Sequence, residues 1–191
     1  GLRGHVESFG DYTEDLVGFI QAQKAELGPD LPVFLLGHSM GAGIATCVAG
    51  LLGKRVSHTM LIEGLGPLSH PPERMTELMR ESLQQWLILP HKQPPVYASR
   101  VDAIQARHSV GEILVKSVQT LVQRGLEQIE GGYVWRSDPR LRIKSRTYLS
   151  EEKVLNFIRE ITAPVLVIEA RDSKRNHWRD LLRSRLVEVP L

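Results

Sequence analysis

The stretch Pro32-Val33-Phe34-Leu35-Leu36-Gly37-His38-Ser39-Met40-Gly41-Ala42-Gly43-Ile44-Ala45 decides the reading of this 191-residue chain. An unbroken apolar run comes first, then a glycine-cornered turn, then small residues. Continuous rather than alternating hydrophobicity suits a strand buried on both faces, as in a parallel sheet. The glycines mark a sharp strand-to-helix turn with Ser39 at its apex. Bulky neighbours would clash there, so Gly37 and Gly41 flank the serine. Ala42 and Gly43 then let the helix pack close to the sheet.

The same kind of run recurs at Met60-Leu61-Ile62 and Val165-Leu166-Val167-Ile168, and Arg185 to Pro190 reads as a last short strand. Helical patterns lie between. Tyr12 to Glu26 places Leu16, Phe19 and Ile20 on one stripe, and Gly28-Pro29 stops it. Ala42 to Leu52 is small and apolar. Ser150 caps a helix with Val154, Phe157, Ile158 and Ile161 on its apolar face. Strands alternating with helices predict an α/β doubly wound parallel sheet.

Residues 69–148 break that rhythm and read as helices without a convincing strand. Met75, Leu78, Met79, Leu83 and Trp86 recur at helical spacing, and Ser109 with Glu112 has the form of a capping box. Ile113, Leu114, Val118, Leu121, Val122, Leu126 and Ile129 form a stripe stopped by Gly131-Gly132. The organisation this predicts is a core of 1–68 and 149–191 with a helical cap, 69–148, inserted over the sheet's carboxyl edge. That edge is where open α/β sheets place ligands.

Composition removes several function classes. Lys+Arg of 24 against Asp+Glu of 22 gives a net charge of +2, without the one-sided charge of a nucleic-acid binder. One cysteine, Cys47, excludes an internal disulfide framework. No apolar run approaches the roughly 20 residues of a membrane span. The first residues lack a signal-peptide shape, so a soluble, cytoplasmic protein is the expectation. The histidines and Cys47 are scattered without metal-ligand spacing, and no cofactor is expected.

Gly37-His38-Ser39-Met40-Gly41 has the G-x-S-x-G form of a nucleophile elbow, set between a strand and a helix as that motif requires. Ser39 Oγ would project from the sheet. The Met40 N–H, at the helix N-terminus, would face a developing oxyanion. A hydroxyl nucleophile needs a base, and the base needs an orienting carboxylate. Two strand-end carboxylates qualify: Asp172, after Val165–Ile168, and Glu63, after Met60–Ile62. Asp172 is favoured, because a place after the third strand is the commoner arrangement. The plain alternative for each is a loop cap or an arginine pair. The base should follow the last strand, where no histidine stands. His38 adjoins Ser39, His58 precedes a strand, and His70, His91 and His108 fall in the insert. His5 and His177 are the first substitutes to consider.

Taken together these residues resemble an α/β-hydrolase. Arg3-Gly4-His5 through His38-Ser39-Met40-Gly41 is similar to monoglyceride-lipase and lysophospholipase-type members. Gly41-Ala42-Gly43-Ile44-Ala45 through Leu61-Ile62-Glu63-Gly64-Leu65-Gly66-Pro67 resembles the serine-hydrolase-like subgroup, as does Gly131-Gly132-Tyr133-Val134-Trp135-Arg136-Ser137-Asp138-Pro139-Arg140. The resemblance implies a partial α/β-hydrolase sheet, the last four strands, from an enzyme longer than this chain. A family member would add amino-terminal strands with a second oxyanion donor, and a loop carrying the catalytic histidine.

The expected activity is serine hydrolysis of a carboxylic ester or similar small apolar acyl substrate. His38, Trp86 and Trp135 are the candidate substrate contacts, although Met75, Met79, Trp86, Tyr97 and Trp135 would equally serve to pack the cap. The competing expectation is an inactive fragment or shortened isoform that binds a partner. Its open strand edge at Val33–Leu36 would favour self-association.

Overall fold

Three short parallel strands carry the fold, and their order follows from their hydrogen bonds. The structure is a computed structural model and describes residues 8–91, 93–111, 113–171 and 176–190. In chain order its elements are α1 (Phe9–Leu27), β1 (Phe34–His38), α2 (Met40–Leu52), β2 (His58–Ile62), α3 (Met75–Ile88), α4 (Arg100–Ser109), α5 (Val115–Gly125), β3 (Leu126–Ile129), β4 (Gly132–Trp135), α6 (Glu151–Arg159), β5 (Val165–Ile168) and α7 (Asn176–Leu186). The parallel sheet has the order β1-β2-β5, and a separate antiparallel pair joins β3 to β4. Two compact units result. One is built on Glu81–Lys144, and the other on 8–80 with 145–190.

In the sheet-bearing unit, Leu36 lies opposite Met60, which lies opposite Leu166. That register puts Leu35, Leu61, Val165 and Val167 on one face. There they join one apolar core with Ala45, Val48 and Ala49 of α2, Val154 and Ile158 of α6, and Leu182 of α7. From α1, Leu16, Val17 and Ile20 pack on the same core. Phe19, expected on that stripe, is exposed, because the covered arc of α1 runs through Thr13, Leu16, Val17 and Ile20 and leaves Phe19 beyond its edge. The approach of α2 to α6 depends on Gly50, where a Cβ would sit 2.3 Å from the Phe157 carbonyl oxygen.

Several expectations need correction. The runs predict strands buried on both faces, yet Phe34, Leu36, Leu166 and Ile168 are exposed, since the helices packed in this core meet only the opposite face. The last strand is absent among the described residues, so the sheet holds three strands rather than four. α7 runs through Leu186, and Val187 is 82% exposed in the turn that follows. The reason is Arg185. Its guanidinium is fully buried and bound to the Leu65 and Pro67 carbonyls and to Glu151, which fixes this segment as a helix end.

The insert, in turn, is not wholly helical. β3 and β4 form a hairpin with Ile129 opposite Gly132. Gly131 and Gly132, expected to stop a helix, instead take the positive φ values of the turn, 86° and 146°. A Cβ on Gly132 would meet the Tyr97 carbonyl oxygen at 2.2 Å, and Tyr97 bridges Tyr133 from the far side. Ser109 closes α4, its hydroxyl bound to the Ala106 carbonyl, and Glu112 lies outside the described residues. The capping box of α4 is Ser99 with Asp102. Ser150 does stand at the N-cap of α6, without a side-chain capping bond.

Candidate active site

The β1–α2 turn builds the site. Ser39 sits between the last residue of β1 and the first of α2 with φ 53° and ψ −116°. That backbone is strained for a residue with a side chain. Neighbours hold it. The Ser39 N–H donates to the Ile62 carbonyl at 2.9 Å, and the Ser39 carbonyl accepts from the Ala42 and Gly43 N–H groups at 3.0 and 3.2 Å. Gly37 is required sterically, since a Cβ there would lie 2.3 Å from the Gly41 carbonyl oxygen. Gly43 likewise lets the loop after β2 approach, its Cβ position being 3.0 Å from Pro67.

Gly41 is different. A Cβ there meets nothing within 4 Å, because the space beyond is a groove of about 470 Å³ lined by Gly41, Ile44, Phe34, Leu36, Tyr12 and Leu16, among others. The expected clash at Gly41 is therefore not found.

Ser39 is exposed, and among the described residues no side chain hydrogen-bonds its hydroxyl. Met40 opens α2. Its N–H is one of the first-turn donors that a helix leaves without an internal acceptor. Cys47, the other candidate nucleophile by chemistry, is buried within α2. Burial pushes its thiol up to about 12, with the nearby Arg185 charge acting weakly the other way. It is protonated and inert at neutral pH.

Glu63 stands one residue beyond β2, on the strand next to β1. It also has a positive φ, 54°. Ser39 and Glu63 are the only residues other than glycine with positive φ among those described. The Glu63 N–H donates to the Ile168 carbonyl at 2.9 Å, its carboxylate accepts the Ala170 N–H, and its carbonyl accepts the Trp178 indole N–H at 3.3 Å. Gly64 follows because a Cβ there would lie 3.1 Å from the Ser39 carbonyl oxygen. The ends of β1 and β2 thus meet through the Ile62 carbonyl and the close approach of Gly64, while Glu63 ties β2 to the end of β5.

The other expected residues fall as follows. Asp172 and His5 lie outside the described residues. His38 is exposed at the end of β1, beside Ser39. Trp86 is exposed on α3. Trp135 is half-buried in its own unit, packed on the cluster of Ala103, Val118, Val122 and Leu126 and filling the space over Gly125. His58 stacks on Phe34 at the opposite end of the strands, His70 meets Tyr148 edge-on, and His108 bonds the Ile113 carbonyl. Trp178, Arg179 and Arg185 of α7 escape the sequence reading altogether. Side chains that bind backbone carbonyls leave no spacing pattern to find.

A parallel sheet with helices on its face, and a strained serine where the first strand turns into its helix, define an α/β-hydrolase fold. The profile of the serine aminopeptidase S33 family matches residues 1–175, and the chain belongs to that family. A hypothetical protein of Pseudomonas aeruginosa PAO1, solved by crystallography, superposes with a TM-score of 0.85 at 34% identity, over 100% of this chain and 66% of its own. A serine hydrolase-like protein of Dictyostelium discoideum is 27% identical over 169 residues, 81% of this chain and 46% of that one. Lysophospholipase L2 of Escherichia coli K12 is 26% identical over 178 residues, 90% of this chain and 49% of that one. The chain therefore spans about half the length of the curated relatives it matches. The thioesterase domain of the curacin pathway shares the fold, with a TM-score of 0.67 at 23% identity.

Proposed function

We propose that this chain carries the nucleophile and the orienting acid of a serine hydrolase that cleaves a carboxylic ester of a small apolar acyl group. One observation carries the reading: Ser39 and Glu63, both at positive φ, stand at the carboxyl ends of adjacent parallel strands. Strained backbone of this kind costs about 1–3 kcal/mol per residue and clusters at functional sites. Ser39 Oγ attacks the acyl carbon and its proton passes to a base. The Met40 N–H stabilises the oxyanion. The carbon–oxygen bond to the leaving alcohol breaks as that alcohol takes the proton, and water then releases the acid from Ser39. Glu63 is taken as the acid on its own geometry, its carboxylate being held by the Ala170 N–H at the strand next to the elbow, while Asp172, the other candidate, lies outside the described residues. Similarity to a lysophospholipase and to a serine hydrolase-like protein supports an acyl-ester class. His38 is the nearest candidate substrate contact in sequence, exposed at the end of β1 beside Ser39.

The test is labelling by a fluorophosphonate probe. The chain is expected to react at Ser39 and the Ser39→Ala variant not at all. Reaction should be slow, because no imidazole contacts the hydroxyl among the described residues, and general-base catalysis contributes about 10²–10⁴ in rate. Equal labelling of the two proteins, or equal hydrolysis of a para-nitrophenyl ester, would remove the proposal.

A second reading is binding without turnover. The exposed Phe34 and Leu36 favour it. Under it, Ser39→Ala changes neither labelling nor partner capture.

A further inference from the structure

We propose that Trp178 and Arg179 of α7 are positioning residues that set Glu63, and through it the Ser39 turn; the inference rests on reading Glu63 as the orienting acid. Glu63 is gripped at both ends. Its backbone carbonyl accepts the Trp178 indole N–H at 3.3 Å. Its carboxylate accepts the Ala170 N–H, and Arg179 holds the loop that presents that N–H. Arg179 Nη2 donates to the Ala170 and Arg171 carbonyls at 3.1 and 2.9 Å, while its guanidinium pairs with Glu169. One arginine thus fixes three consecutive residues of the loop after β5.

Arg185, fully buried, lies over the Trp178 ring at 5.8 Å and bonds the Leu65 and Pro67 carbonyls at 2.7 and 3.0 Å. It therefore braces both the ring that holds Glu63 and the loop that follows Glu63. A non-glycine residue at positive φ persists only where its surroundings over-determine it. These contacts supply that at Glu63. They converge on a strained strand end rather than on the apolar core. The link onward is short, since the Ile62 carbonyl accepts the Ser39 N–H and Gly64 lies under the Ser39 carbonyl.

The experiment reads two quantities on the whole chain, the hydrogen exchange of the Ala170 amide and the rate of fluorophosphonate reaction at Ser39. Arg179→Met is expected to raise Ala170 exchange about tenfold, as a local opening would, and to slow Ser39 labelling by about three- to tenfold through lost orientation. Arg179→Lys, which keeps the charge and one donor direction, should recover part of both. Trp178→Phe keeps a ring against Arg185 and removes only the N–H. It should slow labelling with the melting temperature unchanged. Unchanged Ala170 exchange in Arg179→Met while wild-type Ser39 still reacts would overturn this inference alone. Labelling losses that track melting temperature across all three variants would also overturn it, by making the contacts merely structural. Wild type labelled no faster than Ser39→Ala would instead remove the reading of Ser39 on which the inference stands.

Discussion

The two faces of the three-stranded sheet carry the same kinds of apolar residue and have opposite surroundings. On one side Leu35, Leu61, Val165 and Val167 pack into a single core with four helices. On the other, Phe34 is 65% exposed, Leu36 68% and Leu166 53%. Apolar character along a strand therefore reports what the strand can bury, and only the partners decide what it does bury. The site sits at the end of this sheet, on the rim between the two sides. Its strained turn is held by the end of β2, whose next residue, Glu63, is bound by Trp178 of α7, while the groove beyond Gly41 opens beside the exposed Phe34 and Leu36.

The sharpest way to break this comparison is to delete equal side chains on the two sides. Leu61 is fully buried in the core and Leu166 is not. Leu61→Ala should cost about 2–5 kcal/mol, the lost transfer energy plus the cavity left behind. Leu166→Ala, already half in water, should cost under about 1 kcal/mol. Urea unfolding of both variants at one protein concentration makes the measurement. Equal losses would mean that the exposed side is covered in solution.

The next effect belongs to the charged clamp on the covered side. Arg185 donates to both carboxylate oxygens of Glu151 at 2.8 and 2.6 Å, and Ser69 donates to the same group. The Arg185 hydrogen bonds hold the Glu151 carboxyl below the usual glutamate range, against a smaller opposing effect of partial burial. A carboxyl whose folded value is lowered binds its proton more readily in the unfolded chain. Its stabilising contribution is fully present above the ordinary glutamate range. It is lost as pH falls through that range into the lowered folded value. Glu151→Gln should therefore be less stable than wild type at neutral pH, and the gap should close as the pH drops below about 4. Thermal melts across pH 3 to 7 read it, and a gap that stays constant would show that the charge contributes nothing.

What the sequence makes legible follows the same division. The β1 turn is readable because its constraints are local. Gly37 must lack a side chain where Gly41 comes within van der Waals range, and Ser39 must end a strand and precede a helix. Glu63 is readable as a strand-end carboxylate, but not as the second strained residue, since nothing in the order Ile62-Glu63-Gly64 announces a positive φ. The hairpin of β3 and β4 is missed because Leu126 and Ile129 are three apart, which suits a helix, and Gly131-Gly132 serves equally as a helix stop or a turn. The final strand is misread because Leu186-Val187-Glu188-Val189 alternates like one. A buried arginine one residue earlier overrides that pattern through contacts with residues more than 100 positions away. Local sterics can be read from sequence, and long-range clamps cannot.

The smallest effect on folding tests the open side itself. β1 is an edge strand among the described residues, with β2 as its one neighbour, and Leu36 lies outward on it. A lysine there places charge on the edge and on the apolar surface together, the device by which natural edges avoid pairing with other chains. Because Leu36 gives up little burial, Leu36→Lys should leave folding stability within about 0.5 kcal/mol. The readable change is in association. Should two copies meet along Val33–Leu36, sedimentation of wild type must rise with concentration, and that rise must fall away in Leu36→Lys while Leu166→Ala keeps it. A rise that survives the lysine would place the contact elsewhere on the molecule. A wild type that stays monomeric at every concentration would mean that an exposed apolar sheet face and an open edge can stand in water without pairing, and the difference between the two faces would then be one of packing alone.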